Sequence, residues 1–171
     1  MTRQADDNHL ADALASLDGS RIEDGVGDTL ILVSTDEEEW PHVALLSVGE
    51  VLAMGTGPDA EVRIALWPNT AATRNLTRTG KALLAIIGRQ RCLYLRLAIR
   101  RGPDLHPTKG GLAAFAATIE RAVEDEVGYA LITTGIRFDL RDQPDTLERW
   151  QRTVAALRGA DFAEGWVPSG G

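Results

Sequence analysis

The chain carries one cysteine, Cys92, in 171 residues. A single thiol cannot close an internal disulfide, so burial must hold the fold, and a reducing, cytoplasmic setting is expected. Cys92 sits in an apolar strand pattern, where a buried inert thiol is expected rather than a nucleophile. Histidine is equally scarce. His9, His42 and His106 are far apart and lack a cluster of carboxylates or thiols, so no metal site is expected. Basic residues are in deficit, 18 Lys and Arg against 25 Asp and Glu, for a net charge of −7. That balance argues against a nucleic-acid partner and against an anionic membrane surface. No apolar run approaches the length of a membrane span, and the polar start does not read as a signal peptide. Gly25-x-Gly27 is too short for a dinucleotide fingerprint. No Ser-His-Asp or Cys-His set assembles, which leaves the catalytic residues unknown.

What is present is strand patterning with few helices. Glu61–Ile87 reads as strand, short helix, strand. Val62, Ile64 and Leu66 alternate with Arg63, Ala65 and Trp67, the period of a half-buried strand. Pro68-Asn69 breaks it, Asn69 or Thr70 can cap the helix that follows, and Thr79-Gly80 ends that helix. A helix start just after a strand is a natural anion site, and Arg74 lies one turn in.

Further strands are expected at Thr29–Ser34, His42–Ser47, Ala82–Ile87, Arg91–Arg100 and Leu131–Leu140. Val51–Met54 reads as a short strand or an irregular segment. Gly49-Glu50 and Gly88–Gln90 read as turns, and Gly102–Gly111 as a loop. Leu10, Ala13, Leu14 and Leu17 share one helical face, with residues 1–8 expected to fray before it. Leu112, Phe115, Ile119, Val123 and Val127 recur at helical spacing and predict an amphipathic helix. Pro144 and Asp145 start a last helix carrying Leu147, Trp150, Val154 and Leu157, closed by Gly159. The tail from Ala160 contains Phe162 and Trp166. The strands follow one another through short turns, which disfavours a doubly wound parallel sheet. The expected fold is mainly β with peripheral helices, a six-stranded antiparallel barrel. One domain over 1–171 is expected, with a helical arm at 1–27, the barrel at 28–140 and a helix with tail at 141–171.

Two segments carry a family resemblance. Pro41-His42-Val43-Ala44-Leu45-Leu46-Ser47, followed some twenty residues later by Thr70–Leu76, resembles the pyridoxamine 5′-phosphate oxidase-like family of FMN-binding split barrels. The resemblance covers roughly Asp28–Leu140 in element order. It places His42 and Ser47 at the ends of the strand that lies along the flavin, with Ala44-Leu45-Leu46 between them. It places Thr70, Asn75 and Leu76 on the family's Ser-x-Lys-x-x-Asn-Leu pattern, which opens a helix near the flavin phosphate. Ala71 and Ala72 stand where that pattern is basic. Arg74, two residues on, is the nearest replacement, and Arg63 and Arg91 are other donors. The resemblance implies a homodimer, FMN as cofactor with F420 or none as alternatives, and a small-molecule substrate. The cofactor-binding residues it implies are His42, Leu46, Ser47, Thr70, Arg74 and Arg91. Trp67 can stack on a ring or on a partner subunit.

Overall fold

A computed structural model describes residues 2–88 and 91–162. The chain runs β1 (Thr2–Gln4), α1 (Asp7–Ala15), β2 (Leu30–Thr35), β3 (Pro41–Leu46), β4 (Val51–Met54) and β5 (Glu61–Leu66). It continues through α2 (Ala71–Thr79), β6 (Lys81–Ile87), β7 (Cys92–Leu105), β8 (Leu112–Asp125) and α3 (Gln143–Gly159). All the strand pairings are antiparallel. The sheet order is β3-β2-β6-β7-β8-β5-β4, with β1 added beside β8. The sheet is therefore open and has eight strands, not the six of the expected barrel.

Chain connectivity nevertheless forces it to roll up. Laid flat, the path from β3 to β4 crosses six inter-strand steps of ~4.8 Å and would set these strands ~29 Å apart. Only Ser47–Glu50 joins them, and the stretch from Leu46 to Val51 spans at most ~18 Å. The two ends of the sheet must therefore curl toward each other, leaving a split between β3 and β4. One apolar core fills the inside, drawing on residues from Ala5 to Phe162, with Leu14, Leu32, Ile64, Leu84, Leu95 and Phe115 among its fully buried members.

The helices form where short-range rules place them. Asp6 caps α1 by accepting the Asn8 N–H, and Leu10 and Leu14 turn inward. Thr70 caps α2 through the Thr73 N–H, and Gly80, at φ 62°, ends it in the left-handed conformation that glycine tolerates. Asp142 caps α3, and Pro144 sits in its first turn, where no intrahelical donor is needed.

Several expectations fail. Leu112–Val127 is not a helix: Leu112–Asp125 is strand β8, paired with β5 and β7. The register with β7 slips between Ile119 and Arg121, so Glu120 is an extra, bulged residue. Phe115 and Ile119, before the bulge, and Ala122, after it, pair with Arg101, Leu97 and Leu95. The expected set does not share one face: Leu112 and Phe115, three apart on a regular stretch of β8, point to opposite sides of the sheet, as do Ile119 and Val123 across the bulge. Ala113, Ala114, Ala116 and Ala117 are also buried, so no polar alternation betrays the strand. Leu131–Leu140 is not a strand. It runs as irregular chain fastened by a single Asp28–Arg137 bridge and by the Phe138 N–H on Gly27 O. Its alternating Ile136, Phe138 and Leu140 line a cavity instead of joining a ladder. Gly102–Gly111 is only partly loop, because β7 runs on to Leu105 through a second bulge at Gly102-Pro103. At the N-terminus, Thr2–Gln4 pairs with β8 rather than fraying. Cys92 is half-buried. Part of the Gly88–Gln90 turn and the tail containing Trp166 lie outside the described residues.

Candidate functional site

A cavity of about 500 Å³ opens where the split leaves β3 and β5 ends facing α3. Leu45, Leu46, Ser47, Gly49 and Glu50 come from the end of β3 and its turn, Trp67 from just after β5, Thr108 from the β7–β8 connection and Leu112 from the start of β8. Ile136, Phe138 and Leu140 form one wall. Thr146, Arg149, Trp150 and Thr153 form the roof. Their i, i+3, i+4, i+7 spacing puts them on one face of α3. Trp150 fixes that helix. It is buried, meets Phe138 edge-on at 6.3 Å, and lies so close to Gly49 that a Cβ there would come within 2.0 Å of the indole.

The polar groups of the cavity are few. Ser47 donates to Glu50 Oε2 through both its N–H and its Oγ, each at 2.8 Å. Burial pushes the Glu50 carboxyl above its ordinary value, against the opposing pull of the Ser47 donors and the nearby Arg149 charge. Two buried atoms on the lining, Thr108 Oγ1 and Arg149 Nε, have no hydrogen-bond partner. No ion pair among the described residues engages Arg149. Arg137, also on the lining, is committed to Asp28 and to Val26 O. Buried orphan donors of this kind are uncommon in a folded chain and call for an explanation.

The residues singled out in the sequence do not all come together. Leu46, Ser47 and Trp67 meet in the cavity. Trp67 is 43% exposed at its mouth. His42 lies on β3 opposite Ser34, the residue that accepts from buried Asn75 of α2, and its Nδ1 is a further buried atom without a partner. Thr70 and Arg74 stand at the start of α2. The Thr73 hydroxyl lies 2.7 Å from Trp67 O, and the Thr70 hydroxyl is within reach both of that carbonyl, at 3.2 Å, and of the Thr73 hydroxyl, at 2.9 Å, so the two hydrogens serve this small cluster. Arg74 is exposed and rests on Asn69 O, while Ala72 is buried in the core. Arg91 is elsewhere. It contacts His9 and lies 3.7 Å from Glu124, a carboxylate also held by Arg3. Burial opposes the ionisation of Glu124, but the His9 and Arg3 donors outweigh it and hold the carboxyl low. Arg63, the other named donor, is spent on Glu61 and on the carbonyls that end α3.

Glu50, Thr108 and Arg149 were not singled out from the sequence. The helical spacing of Thr146, Arg149, Trp150 and Thr153 was a usable signal, as was the Ser47-x-x-Glu50 spacing across the turn. Nothing local distinguishes Thr108.

No family model matches this chain. It is 32% identical over 152 residues to the uncharacterized protein YclD of Bacillus subtilis, covering 88% of this chain and 97% of YclD. Among solved structures, a general stress protein 26-related protein of Clostridium acetobutylicum, of the pyridoxinephosphate oxidase family, superposes with a TM-score of 0.50. It is 14% identical, over 80% of this chain and 97% of that one. An FMN-binding protein of Syntrophomonas wolfei gives a TM-score of 0.46 at 17% identity, over 71% and 89%. By sequence the protein belongs to one family with YclD, and by fold it is pyridoxamine 5′-phosphate oxidase-like.

Proposed function

We propose that the protein is a flavin-binding oxidoreductase-like protein acting on a small molecule, with FMN as the cofactor at the cavity mouth. The observation that carries this is the meeting of Leu45 and Leu46 of β3, and of Ser47 just after it, with Trp67 at the rim of a cavity, directly before the start of α2. The apolar side chains suit a flat ring, and the ordered N–H groups that open α2 suit a phosphate. The residues fit FMN through a single cation. Ala71 and Ala72 supply no donor, and the Thr70 and Thr73 hydroxyls are turned to Trp67 O. Arg74 can reach a phosphate only by leaving Asn69 O, one neutral contact of 3.2 Å. A bound flavin would supply the electron transfer itself. The chain's part is to grip the phosphate, hold the ring against Trp67 and β3, and keep water from the cavity behind it.

The test is titration with FMN followed by flavin fluorescence, in wild type and Arg74→Ala. Loss of one charge-assisted contact should cost about 1.5–3 kcal/mol, roughly ten- to a hundredfold in affinity. Equal affinity in the two proteins would remove Arg74 from the site. Binding of F420 without FMN would exchange the cofactor. A second reading, a split barrel that binds ligands without a flavin, is favoured by the alanines at 71 and 72, and failure of both cofactors to bind would establish it.

The protein is further proposed to be a homodimer. Edge strand β3 presents Val43 and Leu45, 56% and 57% exposed, beside Trp40 at 69%. Exposed apolar residues on an open edge are an association surface. Light scattering should report twice 18.5 kDa.

A further inference from the structure

The cavity holds chemistry that a flavin along β3 leaves unused. Arg149 Nε and Thr108 Oγ1 are two buried donors without acceptors, contributed by α3 and by the β7–β8 connection. A folded chain rarely leaves such groups unmatched unless something else meets them. Both line one space, together with Trp150, Phe138 and Ile136. An arginine presents a planar fork that matches the two oxygens of a carboxylate.

The balance of charge limits what can enter. The charged groups on the lining are Glu50 from the β3–β4 turn, Arg149 from α3 and Arg137 from the segment before α3. Arg137 is neutralised by Asp28. Arg149 is thus the unspent cation, and Glu50 is close enough for the two charges to interact. A carboxylate satisfies one arginine. A dianion such as a phosphate monoester would bring a second negative charge toward Glu50 with no cation to meet it. The walls are mainly apolar and aromatic, which favours a ring behind the acid.

We infer that this cavity binds a small aromatic monocarboxylic acid, with its carboxylate on Arg149 and Thr108 and its ring against Trp150 and Phe138. This names the substrate class for the proposed oxidoreductase and rests on that reading only in calling the acid a substrate. Binding itself needs no flavin.

The test is calorimetric titration of the full chain, without added FMN, using sodium benzoate, benzyl alcohol and phenyl phosphate as probes. Wild type, Arg149→Met and Thr108→Val are compared, each with its urea midpoint. Benzoate should bind wild type at least ~10-fold more tightly than either other probe. Arg149→Met should lose ~30-fold or more for benzoate and keep its affinity for benzyl alcohol. Thr108→Val should weaken benzoate ~3- to 10-fold with no loss of stability, because the hydroxyl has no partner in the protein to lose. The inference is overturned if wild type shows no benzoate binding up to about 10 mM, if folded Arg149→Met binds benzoate as wild type does, or if phenyl phosphate binds more tightly than benzoate. Should Arg149→Met fail to fold, Thr108→Val decides, and unchanged benzoate affinity there overturns it. FMN binding without benzoate binding would remove this inference alone. Benzoate binding without FMN binding would remove the cofactor alone.

Discussion

Gly49→Ala is the sharpest probe of how the cavity is built. The added methyl would lie 2.0, 2.3 and 2.5 Å from Cγ, Cδ1 and Cβ of Trp150. Relaxed carbon contacts sit near ~3.5–4.0 Å, so the turn and the indole must part by well over 1 Å, on the order of half a bond-contact distance. Neither yields cheaply. Trp150 is buried and braced edge-on by Phe138, and the Ser47–Glu50 turn is tied by the Glu50 N–H on Ser47 O and by both Ser47 donors on Glu50. Overpacking of this kind costs about 1–3 kcal/mol, and the closeness of the overlap argues for the upper end. With a urea m-value of about 2 kcal/mol/M, the midpoint should fall by roughly 1–1.5 M. The assay is urea unfolding followed by circular dichroism, with Gly57→Ala as control. A Cβ at Gly57 meets nothing within 4 Å, so its midpoint should stay within about 0.5 kcal/mol of wild type. Trp150→Ala removes the two nearest atoms, Cγ and Cδ1, so Gly49→Ala should cost less in that background than in wild type, a non-additivity expected only of residues in contact. Coincident midpoints for Gly49→Ala and wild type would refute the packing of α3 on this turn, and with it the roof of the cavity.

Other outcomes follow from single contacts. Glu50→Gln keeps an acceptor for both Ser47 donors and removes the buried charge. Because the folded carboxyl is raised, the wild type gains stability below the ordinary value of 4.5 and loses it as pH rises through the folded pKa, so the variant should gain on wild type across that rise. Urea midpoints at a series of pH values that run parallel for the two proteins would contradict this. Glu124→Gln should cost about 1–3 kcal/mol at neutral pH by weakening the bonds from Arg3 and His9. With the Glu124 carboxyl held low, that difference should shrink as pH falls below 4.5 through the folded pKa, read by the same midpoints. Phe162→Ala should cost about 3 kcal/mol in thermal or urea unfolding, since the ring is 8% exposed, lies under Arg63 at 4.7 Å and packs on Gly102.

Local chemistry wrote a good part of this fold into the sequence. Thr70, Gly80 and Pro144 mark helix limits through hydrogen bonds and dihedral preferences that reach only a few residues along the chain. Strands β2, β3, β5 and β6 show through their apolar patterning and the turns that flank them. Such features need no partner to be recognised. What failed needed one. Leu112–Ala117 is buried on both faces only once the sheet closes around it, so β8 carries no alternation to read. Ile136, Phe138 and Leu140 alternate as a strand would, yet their segment is held only by the isolated Asp28–Arg137 bridge and not by a continuous ladder, and they became a wall. The site divides in the same way. Leu46, Ser47 and Trp67 could be placed from the sequence because they flank legible elements. Glu50, Thr108 and Arg149 come together only when α3 folds back over the Ser47–Glu50 turn and seats Trp150 on Gly49. The sequence by itself determined strands β2, β3, β5 and β6, the caps and the turn residues beside them, because those depend on neighbours in the chain. Tertiary structure alone decided the cavity and its unmatched donors, because burial and charge balance depend on residues a hundred positions apart being pressed together.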